Sequence, residues 1–194
     1  FLDGDVTLVF MGSTTEQGLQ LAADALRPYR EAIAERVDAG QLFLATGNAL
    51  DILGDAIDSD MVPRIEGLGL LPTQAEYHMM RRHNSYYVGK FGDMDIVGFK
   101  SLFGHSHGVG EALFDTVKGV GRDGQEGSGE GFRRGGLMAT YLIGPLLILN
   151  PPLCKWLLRE MGAASDALAF EEAAMDSYQK RVAEFLEPGR SWKY

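Results

Sequence analysis

Residues 44–54, LATGNALDILG, join a short apolar run to a helical pattern through a turn at Gly47. The apolar run, 42–46, has the composition of a strand that is buried on both faces. An earlier run, 6–11, has the same character and is followed by the polar turn 12–15, GSTT. Strands that alternate with turns and helices in this way predict an α/β fold in which helices cover a parallel sheet. Ligands bind such sheets at the carboxyl ends of the strands, so the two turns are the first candidate sites.

The second half of the chain departs from this alternation. After residue 86 the pattern predicts an antiparallel hairpin, so the sheet is expected to be mixed. The remaining predictions, in chain order, are a helical region over 19–37 that breaks at Pro28, a helix at about 50–57, the hairpin over 87–99, an exposed loop over the glycine-rich stretch 119–136, a strand over 137–143, and helices over about 150–161 and 165–186.

The composition fits one folded domain over residues 1–194. The chain of 194 residues is 45% hydrophobic, which is enough for one compact core. Its formal net charge of -9 and its lack of a long basic run argue against nucleic acid as a partner.

Cysteine usage and apolar runs bear on the compartment. Cys154 is the only cysteine, so the chain forms no intramolecular disulfide and offers no multi-thiolate metal site. This favours a reducing compartment, and we expect a cytoplasmic protein.

The longest strongly apolar stretch, 137–149, is too short for a membrane helix and contains Pro145. The sequence starts at Phe1 without a methionine or a secretion signal, so we expect the natural protein to begin earlier.

Three segments in chain order carry a resemblance to a known family: 8–17 (LVFMGSTTEQ), 44–54 and 140–151 (TYLIGPLLILNP). They resemble the glutaminase domain of the cobyric acid synthase type (CobB/CobQ-like), a class I glutamine amidotransferase, and most closely the glutaminase subunit of lipid II isoglutaminyl synthase. The resemblance implies a flavodoxin-like α/β fold with a mixed, largely parallel sheet flanked by helices. It runs over residues 8–158 and leaves the segment 165–194 outside the match. The family's leading strand and helix would precede Phe1.

By the same resemblance, this chain differs from the family at its two catalytic positions. Gly47 stands where the family has its cysteine nucleophile, and Ile143 stands where it has its histidine. A glutaminase needs a thiolate on a strained turn and a histidine that activates it. Glycine suits the backbone angles of such a turn, so the turn is expected to keep its shape without the thiol. The resemblance also predicts an oxyanion or ligand pocket at Gly12, Ser13 and Asn48.

The other candidate residues have weaker signals. Arg81 and Arg82 carry forked donors that suit a carboxylate or a phosphate, against the alternative of a solvated loop. The four histidines have no third metal ligand at a recognisable spacing, so we predict no metal and no cofactor. The hydroxyls of Thr46 and of the turn 12–15 lack a predicted base, which favours turn and capping roles. Cys154 is expected to be a small packing residue in a helix.

Three hypotheses for function follow. The first is an amidotransferase-like pseudoenzyme that does not hydrolyse glutamine and acts as partner or regulator of a Mur-ligase-like or cobyric-acid-pathway synthetase, in peptidoglycan or cobalamin synthesis. The second is an enzyme whose active site in the same pocket is relocated or completed by a partner. The third is a sensor of a small, glutamine-like ligand.

Overall fold

The computed structural model describes Leu2 and residues 4–193. The strands are β1 (Leu8–Met11), β2 (Leu42–Thr46), β3 (Ala56–Ser59), β4 (Ile65–Glu66), β5 (Thr73–Tyr77), β6 (His83–Phe91), β7 (Met94–Leu102), β8 (Gly104–Gly108), β9 (Asp115–Lys118), β10 (Phe132–Arg134) and β11 (Leu137–Thr140). The helices are α1 (Glu16–Leu26), α2 (Arg30–Asp38), α3 (Leu146–Leu149), α4 (Pro151–Glu160) and α5 (Glu171–Leu186), with 3-10 turns at Arg27–Tyr29 and Gly47–Leu53.

The first sheet has the strand order β1-β2-β11-β10 and positions the candidate site. β2 lies at its centre and pairs in parallel with both β1 and β11, while β10 pairs antiparallel with β11. Alternate residues of β2 belong to different core clusters: Phe43 and Ala45 pack in one, and Leu44 packs in another. The strand is therefore covered on both faces, as its continuous apolar run predicts. The carboxyl ends of three parallel strands meet at one edge.

The helical region after β1 is confirmed, including its break. Thr15 caps α1 through its side chain, which accepts a hydrogen bond from the backbone N–H of Gly18 at 3.1 Å. Leu19 and Ala23, four residues apart, form the buried stripe of α1. Pro28 lies in the 3-10 turn between α1 and α2, where the missing backbone N–H is tolerated.

Two further sheets complete the fold, with the orders β4-β3-β5-β8 and β7-β6-β9. β3 and β5 are parallel, and the other pairs of these two sheets are antiparallel. The predicted hairpin is confirmed, since β6 and β7 pair along their length. The C-terminal helix α5 packs on this hairpin, where Tyr178 and Phe185 are buried against Val88 and Val97.

Two predictions of local structure were wrong. The helix predicted at about 50–57 is a 3-10 turn that ends at Leu53, and β3 follows it. The glycine-rich stretch 119–136 is not simply an exposed loop, because Glu130 and Phe132 are both fully buried. Polar contacts with distant residues hold this stretch in the interior, and sequence periodicity carries no signal for them.

Candidate functional site

The centre of the site is the turn after β2. Gly47 has a φ of 61°, in the left-handed region that costs glycine little and other residues more. Thr46 before it is extended, and the 3-10 turn begins at Gly47 itself. The chain thus bends sharply as it leaves the central strand, as predicted for a turn that displays one residue above a sheet.

Two residues from neighbouring strand ends face Gly47. A Cβ placed on Gly47 would lie 3.1 Å from Cγ2 of Ile143 and would collide with Oγ of Ser13. The backbone N–H of Ile143 donates to the carbonyl of Phe99 at 2.9 Å, which fixes its position. The Ser13 hydroxyl donates to the carbonyl of Thr46 at 3.4 Å. The structure therefore brings Gly47, Ile143 and Ser13 together, and a side chain at Gly47 would require the Ser13 hydroxyl to move.

The turns after β1 and β2 are joined by Asn48. Its Oδ1 accepts from the backbone N–H of Thr14 at 3.0 Å, and its Nδ2 donates to the carbonyl of Thr14 at 2.7 Å. The side-chain amide of Asn48 thus pairs with the backbone N–H and carbonyl of Thr14 in the way that two backbone segments pair with each other. Asn48 thereby holds the two turns in a fixed relation.

A cavity of about 240 Å³ opens beside these turns. Its lining residues are Ser13, Thr14, Thr15, Glu16, Asn48, Tyr77, Arg82, Ser101, Leu102 and Phe103. The guanidinium carbon of Arg82 lies 4.6 Å from the centre of the Phe103 ring, which supports the side chain at the cavity wall. The lining therefore combines one cation, one carboxylate and several hydroxyls, a set suited to a small polar ligand.

The cavity gathers some of the predicted site residues and omits others. Ser13, Asn48 and Arg82 line it. Gly12 does not, and lies next to the Phe10 ring. Arg81 also lies outside the lining and is exposed.

A buried carboxylate lies beneath the site, and sequence analysis did not find it. Asp51 is 1% exposed and accepts hydrogen bonds from the hydroxyls of Tyr77 at 2.5 Å, Tyr141 at 2.5 Å and Ser106 at 2.8 Å. Burial raises the pKa of Asp51 from 3.8 to about 6, although the three hydroxyl donors favour the charged form. Because Tyr77 also lines the cavity, Asp51 holds part of the cavity wall in place.

A buried ion pair between Lys100 and Glu130 extends the hydrogen-bond network of Asp51, and sequence analysis did not find it either. The Lys100 ammonium contacts Glu130 with both side chains 0% exposed, and it also donates to the carbonyls of Val120 at 2.6 Å and Gly121 at 2.9 Å. The other oxygen of Glu130 accepts from the backbone N–H of Tyr141 at 2.7 Å. Burial lowers the pKa of Lys100, and the charge of Glu130 opposes this effect. This pair is what draws the glycine-rich stretch into the interior.

The residues considered for other chemistry lie apart from this arrangement. Cys154 is half-buried in α4, and burial raises the pKa of its thiol, which disfavours the reactive thiolate. His105 and His107 lie in β8, and burial lowers the pKa of His105 to about 4. Among the described residues, no group of three or more His, Cys, Asp or Glu side chains is placed to hold a metal ion.

The fold and the strand-end turn are similar to those of a glutamine amidotransferase. A solved structure described as a glutamine amidotransferase matches with a TM-score of 0.55 over 81% of this chain and 80% of the other, at 15% sequence identity. That likeness confirms the predicted fold class.

A curated relative is the Lipid II isoglutaminyl synthase (glutamine-hydrolyzing) subunit GatD of Staphylococcus aureus (strain N315). It is 25% identical over 170 residues, which cover 88% of this chain and 69% of the relative. None of the known family models matches the chain. Together the two likenesses support a glutamine amidotransferase-like domain. Within the described ranges, none of the helices combines the length and apolar character needed to cross a bilayer.

Proposed function

We propose that this chain is an amidotransferase-like subunit that does not hydrolyse glutamine and that binds and regulates a synthetase, of the Mur-ligase-like or the cobyric-acid-pathway type, in the cytoplasm. One observation carries the proposal: Gly47, Ile143 and Ser13 meet at the strand-end turn, where the resemblance places a cysteine and a histidine.

The chemistry of glutamine hydrolysis explains why this observation matters. The amide carbon must be attacked by a nucleophile, and the departing ammonia must receive a proton. Gly47 carries no nucleophile, and the aliphatic side chain of Ile143 neither accepts nor donates a proton. Cys154 lies in α4 with a thiol pKa that burial raises, so it is a poor replacement.

The Ser13 hydroxyl strengthens the proposal. It occupies the space that a side chain on Gly47 would need, so a restored cysteine would collide with it unless the Ser13 hydroxyl rotates away. The Ser13 hydroxyl, as well as Gly47 and Ile143, therefore decides whether a nucleophile can be restored at this turn.

The partner is proposed from the relative. GatD is described as a subunit of a synthase, so the related chain is expected to associate with a synthetase in the same way. The structure retains the glutamine amidotransferase fold that such an association would use.

The test is ammonia release from glutamine by the purified chain, alone and with a Mur-ligase-like synthetase. We expect no release above the protein-free rate and a stable complex. The assay is validated by a rebuilt variant, Ser13→Gly/Gly47→Cys/Ile143→His, which should release ammonia more readily than Gly47→Cys/Ile143→His because the collision is removed.

Turnover by the unmodified chain would overturn the proposal and favour the relocated active site. Ser13→Ala, Thr46→Ala and Cys154→Ala would then identify the nucleophile. If neither turnover nor a complex is observed, the regulatory role is also wrong.

A second candidate function, sensing of a small ligand, is favoured by the cavity beside the turns. Arg82 and Glu16 place opposite charges in its lining, which suits the carboxylate and ammonium of an amino acid. L-Glutamine is expected to raise the melting temperature of the unmodified chain and of Arg81→Ala, but not of Arg82→Ala. These neighbouring arginines form a matched pair, because only Arg82 lines the cavity. An equal shift in all three proteins would contradict the assignment.

A further inference from the structure

The segment between α4 and α5, residues 161–170, presents an unusual apolar surface; we call it the α4–α5 loop. Its exposed members are mostly small, and they include Ala163, Ala164, Ala167 and Ala169. Phe170 ends the loop and is 87% exposed, more than any other large hydrophobic side chain recorded for the described residues. Isolated exposed apolar residues are common, but a run of them ending in an exposed phenylalanine is a feature of binding surfaces.

The backbone of Phe170 is also unusual. Its φ of 54° and ψ of 35° lie in the left-handed region, and it is the only non-glycine residue with a positive φ in the described part of the chain. Bulky residues rarely adopt this conformation. It directs the ring to solvent at the point where α5 begins. Such outliers cluster at sites of function, where the surrounding structure maintains them.

Ion pairs and a hydrogen bond tie the α4–α5 loop to the two helices. Asp166 within the loop pairs with Arg159 at the end of α4. Glu171, directly after Phe170, pairs with Lys155 at 2.5 Å and accepts from the backbone N–H of Leu168 at 3.0 Å. A side chain presented by a loop that is already ordered loses less entropy on binding. The exposed ring is therefore preorganised for contact.

The charges around the loop indicate what it contacts. Lys155 and Arg159 of α4 are engaged with Asp166 and Glu171. Glu160 and Glu172 flank the loop at the ends of the two helices, and both are exposed. The apolar surface therefore has an acidic border. This border repels an anionic lipid surface and a second copy of the same loop, and it complements an apolar pocket bordered by Lys and Arg.

We propose that Phe170 is the anchor by which this chain docks on its synthetase, inserting into an apolar pocket with a basic border on that protein. The inference rests on the proposed function, which supplies the partner but not the surface. The energetic centres of protein interfaces are enriched in buried aromatic side chains, while charged residues lie mostly at the rim.

The experiment measures the dissociation constant between the purified chain and a purified Mur-ligase-like synthetase, at low and at high salt. Phe170→Ala is expected to weaken binding by about 10-fold or more, the usual effect of truncating an aromatic anchor. Leu21→Ala is the matched control, because Leu21 is also an exposed apolar residue, 65% exposed on α1. It should change the constant less than about twofold, on the scale of contacts outside the energetic centre. Glu172→Lys should slow association, and most strongly at low salt.

Stability measurements separate an anchor from a structural role. Phe170→Gly should raise the melting temperature, because glycine adopts the left-handed conformation without strain, and should weaken binding as Phe170→Ala does. A variant that is more stable yet binds less tightly supports a binding role for the ring.

Other outcomes contradict the inference in distinguishable ways. Equal binding by the unmodified chain and Phe170→Ala refutes the anchor but leaves the proposed function intact. Failure of the unmodified chain to bind any synthetase removes both. Self-association that Phe170→Ala abolishes, or binding to anionic vesicles, would assign the loop to a second copy or to a membrane and overturn the proposed partner.

Discussion

Replacing Asp51 by asparagine tests the buried network beneath the site. Burial raises the pKa of Asp51 from 3.8 to about 6, and a change of that size is worth about 3 kcal/mol, since one pKa unit is worth about 1.4 kcal/mol. The folded state binds the proton more tightly than the unfolded state. The stabilisation from protonated Asp51 is therefore fully present below pH 3.8 and is lost as the pH rises through about 6.

Asparagine has a neutral side chain of the same shape at every pH, so the Asp51→Asn variant lacks this dependence. The difference in free energy of unfolding, variant minus unmodified chain, is expected to rise by about 2.5 kcal/mol between pH 4 and pH 7.5, because a small part of the stabilisation is already lost at pH 4. Taking the difference removes the contributions of the other titrating groups, provided that they are unchanged. Urea unfolding at several pH values, followed by circular dichroism, measures it.

A second variant tests the physical cause. The hydroxyl of Tyr141 favours the charged form of Asp51, so Tyr141→Phe should raise the pKa of Asp51 further and move the transition to higher pH. A difference curve for Asp51→Asn that is flat from pH 4 to pH 7.5 would refute the reasoning, because it would mean that burial does not perturb this carboxyl.

Two other predictions concern buried polar groups. Glu130→Gln should lower the free energy of unfolding by about 3–5 kcal/mol, because it leaves the Lys100 ammonium buried without its counter-charge. Urea unfolding measures this loss. The double variant Lys100→Met/Glu130→Gln should be less destabilised than the sum of the two single changes. Asn150→Ala should lower it by about 2–4 kcal/mol, because the Asn150 side chain bonds both the N–H and the carbonyl of Val97 at 2.8 Å. A loss below about 1 kcal/mol in the same assay would show that these backbone groups find other partners.

Several parts of the fold could be predicted because their signal is local. The apolar run of β2 predicted a strand buried on both faces, and the hairpin of β6 and β7 followed from two extended runs around a Gly-Asp turn. The turns after β1 and β2, which we expected to be the first candidate sites, lie together, since Asn48 bonds Thr14. They meet because β1 and β2 are parallel neighbours and end at one edge.

The buried polar network could not be predicted in the same way. Asp51 lies 26, 55 and 90 positions along the chain from the three residues that donate to it, and Lys100 lies 30 positions from Glu130. An aspartate between Leu50 and Ile52 resembles the solvent-facing position of an amphipathic helix, whereas the structure has a buried 3-10 turn there. Local periodicity does not identify the partner that satisfies a buried charge.

Local patterns were thus sufficient for the α/β class and for the two strand-end turns, because strand and turn propensities act between neighbours in the chain. The expectation that Gly47 and Ile143 stand at catalytic positions came from the resemblance and not from these patterns. Tertiary structure alone decided that Ser13 fills the space above Gly47, that Asp51 is buried, and that Phe170 faces solvent in a left-handed conformation. The physical reason is that burial, desolvation and steric exclusion depend on residues that only folding brings together.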